Sequence, residues 1–234
     1  MSASQTARER VRAELTREIT DTARRHLATA GASGLSLRAV ARELGMASSA
    51  VYRYFPSRDD LLTALIIDGY NDIGAAVEQA DAACDRGDHP GRWLAVCHAV
   101  RDWALAHPHE YALLYGSPVP GYRAPQDTVS AAIRDTVVFG NIVADAYLAG
   151  ALHPPDICPA PPDSFGADAE RLREIIPDVP DKIIARAVTV WTGLYGWLNF
   201  ELFGQFNSTI EDRATAFDHN ARCLAGLVGL PAPR

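Results

Sequence analysis

Lysine is almost missing from this chain: of its 22 basic residues all but Lys182 are arginine, a bias that fits a GC-rich coding sequence and carries no mechanism. Cysteine is sparse too. Cys84, Cys97, Cys158 and Cys223 stand too far apart for a metal pair or a disulfide framework, so reduced thiols are expected. No apolar run approaches the ~18 residues of a spanning helix, and the opening MSASQTARERVRAELTREIT has no apolar core of signal-peptide length. A cytoplasmic protein with no membrane partner is the expectation. There is no strand-like alternation of useful length and no internal repeat, which predicts an all-α chain. A GxSxG elbow, an HExxH pair, a phosphate loop and a GxGxxG fingerprint are all absent, so catalysis is not expected. His107, His109 and Glu110 lie close together but straddle Pro108 at a helix break and share no face, so no metal and no other cofactor is expected.

What is present is ordinary globular composition, 48% hydrophobic and 22% charged over 234 residues, enough for a small domain and a larger one with its own core. The net charge of −7 is unevenly spread. Residues 1–60 hold 10 basic and 7 acidic side chains, a net of +3, which leaves 12 basic and 22 acidic, a net of −10, for the rest. A basic head on an acidic body suits a protein that must present one end to a polyanion.

That head contains the most informative stretch, LSLRAVARELGMASSAVYRYFPSRDDLL (35–62). Ser36 is a good N-cap for a helix whose apolar face is Leu37, Val40, Ala41 and Leu44. Gly45 supplies a left-handed stop. Ser48 or Ser49 can cap a second helix of about two turns that turns Val51 and Phe55 inward and Ala50, Arg53 and Tyr54 outward. Pro56 ends it, and Ser57 caps a third helix with Asp59 and Asp60 at its positive end. This spacing predicts a helix-turn-helix DNA reader over about residues 36–55. Ser49 and Ala50 permit close approach to DNA, and the hydroxyls of Ser48 and Ser49 can reach phosphate. Arg53 can reach a guanine edge or a phosphate, Tyr52 and Tyr54 offer phenol hydroxyls, and Arg38 and Arg58 are expected to clamp the backbone.

The segment resembles the DNA-binding domain of the TetR family of one-component bacterial regulators. The family pattern L-R-x-V-A-x-x-L-G is matched from Leu37 to Gly45, the aliphatic-Tyr-x-Tyr-Phe pattern by Val51-Tyr52-Arg53-Tyr54-Phe55, and the basic-acidic-Leu-Leu pattern by Arg58-Asp59-Asp60-Leu61-Leu62. Ser49 stands where many members carry Gly or Pro, and Arg58 replaces the more usual lysine. The resemblance covers roughly residues 8–75 and weakens beyond. It implies an N-terminal three-helix DNA-binding domain (8–75) and a larger helical effector-binding and dimerisation domain (76–234). It further implies a homodimer on a palindromic operator of double-stranded DNA, released by a small apolar effector. Repression is the commoner mode among similar proteins; an activating or effector-independent protein of the same fold is the alternative.

Beyond the reader, the periodicity predicts an opening helix over 8–30, a long one from Ser57 to about Ala83, then helices over 91–107, 108–115, 126–148, 180–206 and 210–228. The segment 150–167, with five prolines, reads as a loop. Candidate effector contacts are Trp93, His98, Trp103, Tyr111, Tyr115, Phe139, Trp191 and Tyr195, with Tyr147, Asn141 and Asn199 in reserve. The helix over 180–206 is apolar nearly all round and holds Gly193, Gly196 and Gly204, as expected where something approaches its backbone. Its W-T-G-L-Y-G stretch resembles a TetR subgroup with a W-x-G-type C-terminal motif. By the same resemblance the last two helices form the dimer bundle, through Trp197, Leu198, Leu202, Phe206, Phe217 and Leu224.

Overall fold

The computed structural model of the chain describes residues 7–153, 155 and 159–231, so Cys158 lies outside the described residues. Among these the secondary structure is entirely helical. In order come α1 (Ala7–Gly34), α2 (Leu37–Glu43), α3 (Ser48–Val51), α4 (Arg58–Ala82), α5 (His89–Ala106), α6 (Pro108–Tyr115), α7 (Val129–Ala132), α8 (Arg134–Leu148), α9 (Gly166–Leu172), α10 (Asp181–Leu202) and α11 (Arg213–Val228). Two compact units emerge. The first holds the chain up to Tyr70 together with His107–Val129; the second holds Asn71–Ala106 and the chain from Ser130 onward.

The first unit is built around Ile19 and Ala23 of α1, Leu37, Val40 and Ala41 of α2, Val51 and Phe55, and Leu61, Leu62 and Leu65 of α4, all buried. The α1 helix breaks at Gly31 (φ 66°), where the predicted stop lies. Gly45 (φ 65°) makes the left-handed turn between α2 and α3, a conformation a residue with a Cβ adopts only at a cost. Ser57 caps α4 as expected: its Oγ accepts the Asp60 amide at 3.1 Å and donates to the Asp60 carboxylate at 2.7 Å. Arg24 ties α1 to α4 through Asp68 at 2.9 Å, while Arg25 and His26 grip Glu43 at the end of α2 at 2.8 and 2.6 Å.

Residues 107–129 pack in this unit, not in the second where a boundary near residue 75 places them. Pro108 starts α6, and Leu113, Val119 and Tyr122 lie on the reader core. The Tyr122 hydroxyl meets the Thr63 hydroxyl at 2.9 Å. Sequence order misleads here because α5 stops at His107-Pro108 and the chain crosses back.

The second unit packs α5, α8, α10 and α11. Trp93 of α5 donates its indole N–H to the Ala221 carbonyl of α11 at 3.0 Å and stacks edge-on to Phe139 of α8. Arg101 and the buried Glu201 form an ion pair at 2.6 Å between α5 and α10, and the guanidinium lies over the ring of Phe217. The close approach expected of Gly193 is real: a Cβ there would stand 2.9 Å from Leu224 of α11.

Three predicted helices change shape. The helix over 126–148 splits into a 3-10 turn (Gln126–Thr128), α7 and α8, with Val129 and Ile133 exposed. The helix over 180–206 ends at Leu202, where Gly204 (φ 87°) reverses the chain, so Phe206 folds back with its ring 4.8 Å from Trp197 instead of continuing the helix. The last helix starts at Arg213, after an Asp212 cap that accepts the Thr215 amide at 3.0 Å.

Candidate nucleic-acid interface and ligand cavity

The reader is shorter than its two predicted turns. The α3 helix is a single turn, Ser48–Val51, whose cap position is Ala47, so neither Ser48 nor Ser49 caps it. Hydrogen bonds from Tyr52 to Ser48, from Arg53 to Ala50 and from Phe55 to Val51 carry the turn onward to Phe55. Val51 and Phe55 anchor it in the core. Burial of those two residues, four apart, dictates what the rest of the turn must expose. Ser48, Ser49, Tyr52 and Arg53 face solvent, Ala50 and Tyr54 are half-buried, and Arg38 is exposed on α2. These are groups that can hydrogen-bond phosphates and base edges from one short, rigid element.

Two expected contacts sit differently. Ser36 holds the extended cap position of α2 (φ −138°) but makes no side-chain cap hydrogen bond. Arg58 is half-buried and donates to the Ala32 carbonyl at 2.7 Å, fastening the α1–α2 connection to α4. A phosphate would have to share that guanidinium, so its first role is inside the domain. Conversely, Arg8 and Arg12 escaped sequence reading. They join Arg53 and Tyr54 around one cleft, with the Arg12 guanidinium 5.3 Å above the Tyr54 ring. The readable signal was arginine at positions 8 and 12, four apart on the opening helix.

The second unit contains a cavity of about 370 Å³. Of the eight aromatic and histidine candidates, Trp93, Phe139 and Trp191 line it. His98 instead pairs with Asp218 at 3.0 Å. Tyr111 and Tyr115 belong to the first unit, where Tyr115 packs against Tyr70. Trp103 and Tyr195 are buried outside the cavity wall, Tyr147 and Asn141 are exposed, and Asn199 does not line it. Leu172, Ile175 and Ile176 complete the wall, from α9 and the turn after it, just beyond the proline-rich loop. Their spacing, with Ala169, was the missed helical signal. Gly140 matters for the shape, since a Cβ there would stand 2.3 Å from the Ile175 carbonyl oxygen. No ionisable side chain of the described residues lines this cavity; its polar side chains are Thr136 and the indoles of Trp191 and Trp93, the last already donating to the Ala221 carbonyl.

Behind the wall lies Asp135, buried, accepting hydrogen bonds from Tyr195 and, at 3.3 Å, from Thr136. Burial raises its carboxyl above the ordinary range, against the pull of those bonds. A carboxylate with a raised folded pKa contributes stability that is full below its unfolded value near ~4 and lost as pH rises through the folded value. Asp135→Asn is therefore expected to melt higher than the parent at neutral pH and to lose the acid-side rise in stability. Melting temperatures from about pH 4 to 7 check this, and a parallel pH dependence in both proteins contradicts it.

The candidate dimer residues divide sharply. Leu198, Phe217 and Leu224 are buried in the single chain's own core, so a second chain cannot reach them. Trp197, Leu202 and Phe206 are half-buried and border Phe200 and Phe203, which are 52% and 44% exposed.

Residues 19–65 match the model of the bacterial regulatory proteins of the tetR family, and residues 93–224 match the tetracyclin repressor-like C-terminal domain. The chain belongs to the TetR family of transcriptional regulators. It is 38% identical over 227 residues to HTH-type transcriptional regulators of Mycobacterium bovis (Mb1846) and Mycobacterium tuberculosis (Rv1816), covering 95% of this chain and 94% of theirs. A crystal structure of the proposed regulatory protein SCO4313 superposes with a TM-score of 0.76 at 36% identity, over 94% of this chain and all of that one. A Rhodococcus sp. RHA1 protein of unknown function superposes at 0.66 with 26% identity, over 90% of this chain and 95% of that one. As a TetR-family member the chain is a DNA-binding regulator of transcription, not an enzyme, and none of its described helices is long and apolar enough to cross a membrane.

Proposed function

We propose that this TetR-family regulator is a repressor that binds a palindromic operator as a homodimer and lets go when a small apolar effector enters the cavity beside Trp93, Phe139 and Trp191. The observation that carries the reading is that uncharged cavity, of a size typical for small-molecule sites. Its wall includes Ala132 and Ile133, at the break between α7 and α8. Just upstream, the same strand of chain enters the segment 107–129 that packs on the reader core. The α4 helix also runs unbroken from the reader unit into the second. An effector that shifts α7 thus has two covalent routes to the reader, which is what coupling between two sites requires.

The reading contacts are Arg38, Ser48, Ser49, Ala50, Tyr52, Arg53 and Tyr54, with Ser36 and Arg58 holding the frame and Arg8 and Arg12 extending the basic face. The homodimer is proposed on the outer face of α10, where Phe200, Phe203, Trp197, Leu202 and Phe206 meet and where Gly196 has open space in front of it. Large aromatics exposed together are what an isologous contact would cover.

Anisotropy titration against the DNA flanking the protein's own gene, at stated salt and with nonspecific competitor, tests this. Arg53→Ala is expected to weaken operator binding by about 1–3 kcal/mol if it reads a base, or to weaken all DNA equally and flatten the salt dependence if it holds a phosphate. Tyr52→Phe should weaken binding less. Unchanged affinity in both variants means that another element enters the groove. Phe200→Glu is expected to yield monomers in sedimentation, and a persisting dimer moves the interface elsewhere. An effector-independent regulator would hold its operator through every apolar compound tried; an activator would bind the operator yet raise transcription.

A further inference from the structure

A second cavity, of about 330 Å³, lies on the other side of Val190, which forms part of both walls. Its chemistry is the reverse of the first. Lys182 and Arg186, one turn apart on α10, both line it, and no carboxylate of the described residues does. Like charges four residues apart on a helix repel, so the pair is a cost unless an anion bridges it. Arg186 donates through Nη2 to the Pro155 carbonyl at 3.1 Å, while its Nη1 is buried with no hydrogen-bond partner. An orphaned guanidinium nitrogen costs more than an orphaned amide, because charged donors lose more hydration. The rest of the wall is apolar, with Pro161 and Phe165 on one side and Leu227 of α11 on the other. Thr189, one further turn along α10, adds a hydroxyl on the same face.

We propose that this cavity is a binding site for an amphiphilic organic anion, a carboxylate on a short apolar body, distinct from the uncharged cavity behind Val190. The carboxylate supplies the acceptor that Arg186 Nη1 lacks and, set between the two cations, relieves their repulsion. The body replaces water along Pro161, Phe165 and Leu227. A bare anion leaves that wall wet, and a neutral amphiphile leaves the guanidinium unpaired, so both halves of the ligand are required.

Lys182 is the only lysine in the chain, so an amine-selective acylating reagent reports on this cavity with one side chain, besides the amino terminus. The rate of Lys182 acylation in the full-length protein is followed by mass spectrometry with decanoate, decanol or inorganic phosphate present. Decanoate is expected to slow the reaction by roughly tenfold, while decanol and phosphate leave it unchanged. Arg186→Gln should abolish the protection by decanoate, and Arg186→Lys should restore part of it, with acylation of Lys182 read in its own peptide so that the added lysine is counted apart. Equal protection by decanol makes the cavity merely apolar, and protection by phosphate alone makes it a bare anion site. No protection by decanoate, or protection that survives Arg186→Gln, also overturns the proposal. Melting curves of the two Arg186 variants guard against misfolding; if Arg186→Gln proves unfolded, the comparison of the three probes on the parent protein still decides.

Discussion

Arg92→Ala lowers the stability of the second unit by about 3 kcal/mol, and the loss shrinks in acid. The Arg92 side chain is 2% exposed and lies between two carboxylates, with Asp81 and Asp145 each at 2.7 Å. Alanine removes the cation that the two acids share and leaves Asp81 only the exposed Arg86, at 2.7 Å. Breaking a buried pair by deleting one partner costs roughly 3–5 kcal/mol, and because Asp145 is half in water the lower end applies here. Burial alone would raise the Asp81 carboxyl, yet hydrogen bonds from Arg92 and Arg86 overcome it and hold the carboxyl below its usual range. A depressed carboxylate contributes stability that is present above its unfolded pKa, near ~4, and is lost as pH falls through the lower folded value. The gap between parent and variant should therefore be widest at neutral pH and should close as the acids protonate. Denaturant titrations at a series of pH values measure it. A gap independent of pH would assign the loss to packing alone.

Phe217→Ala is expected to cost about 3–5 kcal/mol, the range for a fully buried phenylalanine whose site cannot collapse. Phe217 is 0% exposed. Its ring lies 5.3 Å beneath the Arg101 guanidinium and 5.5 Å from the His98 ring. The site cannot relax freely because Arg101 is fixed to Glu201 and His98 to Asp218. Truncation leaves a void and also opens the Arg101–Glu201 pair to water. The midpoint of denaturant unfolding should fall with an unchanged slope. The same variant separates the two places Phe217 could occupy. A core residue lowers the unfolding midpoint at every protein concentration, whereas an interface residue shifts the monomer–dimer equilibrium and leaves the monomer's own stability nearly intact. A loss that vanishes on dilution would return Phe217 to the interface.

These two sites show why sequence reading went furthest in the head and least far in the body. Around the reader, the decisive interactions are local: the Ser57 cap, the Gly45 turn, and the Val51–Phe55 pair that buries one side of a single turn. Each involves residues within four positions of one another, so spacing alone specifies it. In the second unit the decisive interactions run between elements distant in sequence. The periodicity of α10 and α11 shows an apolar face, but periodicity cannot say whether that face meets the same chain or another. Leu198, Phe217 and Leu224 are expected at a dimer contact and are core because α5, α10 and α11 pack against one another around them. Aromatic content could not sort Trp93, Phe139 and Trp191 from Trp103 and Tyr195, because cavity walls and cores use the same residues at the same spacing. His98 was spent on Asp218, 120 residues away.

By itself the sequence determined an all-α regulator with a basic helix-turn-helix head and its family, because helical period, caps and turn residues act over a few positions. Only the tertiary structure decided that residues 107–129 pack on the reader core, that α9 walls the uncharged cavity, and that Arg186 faces a cavity of opposite character across Val190. Each of those depends on which faces meet after the chain has closed, and burial against a distant partner leaves no local trace in the order of the residues.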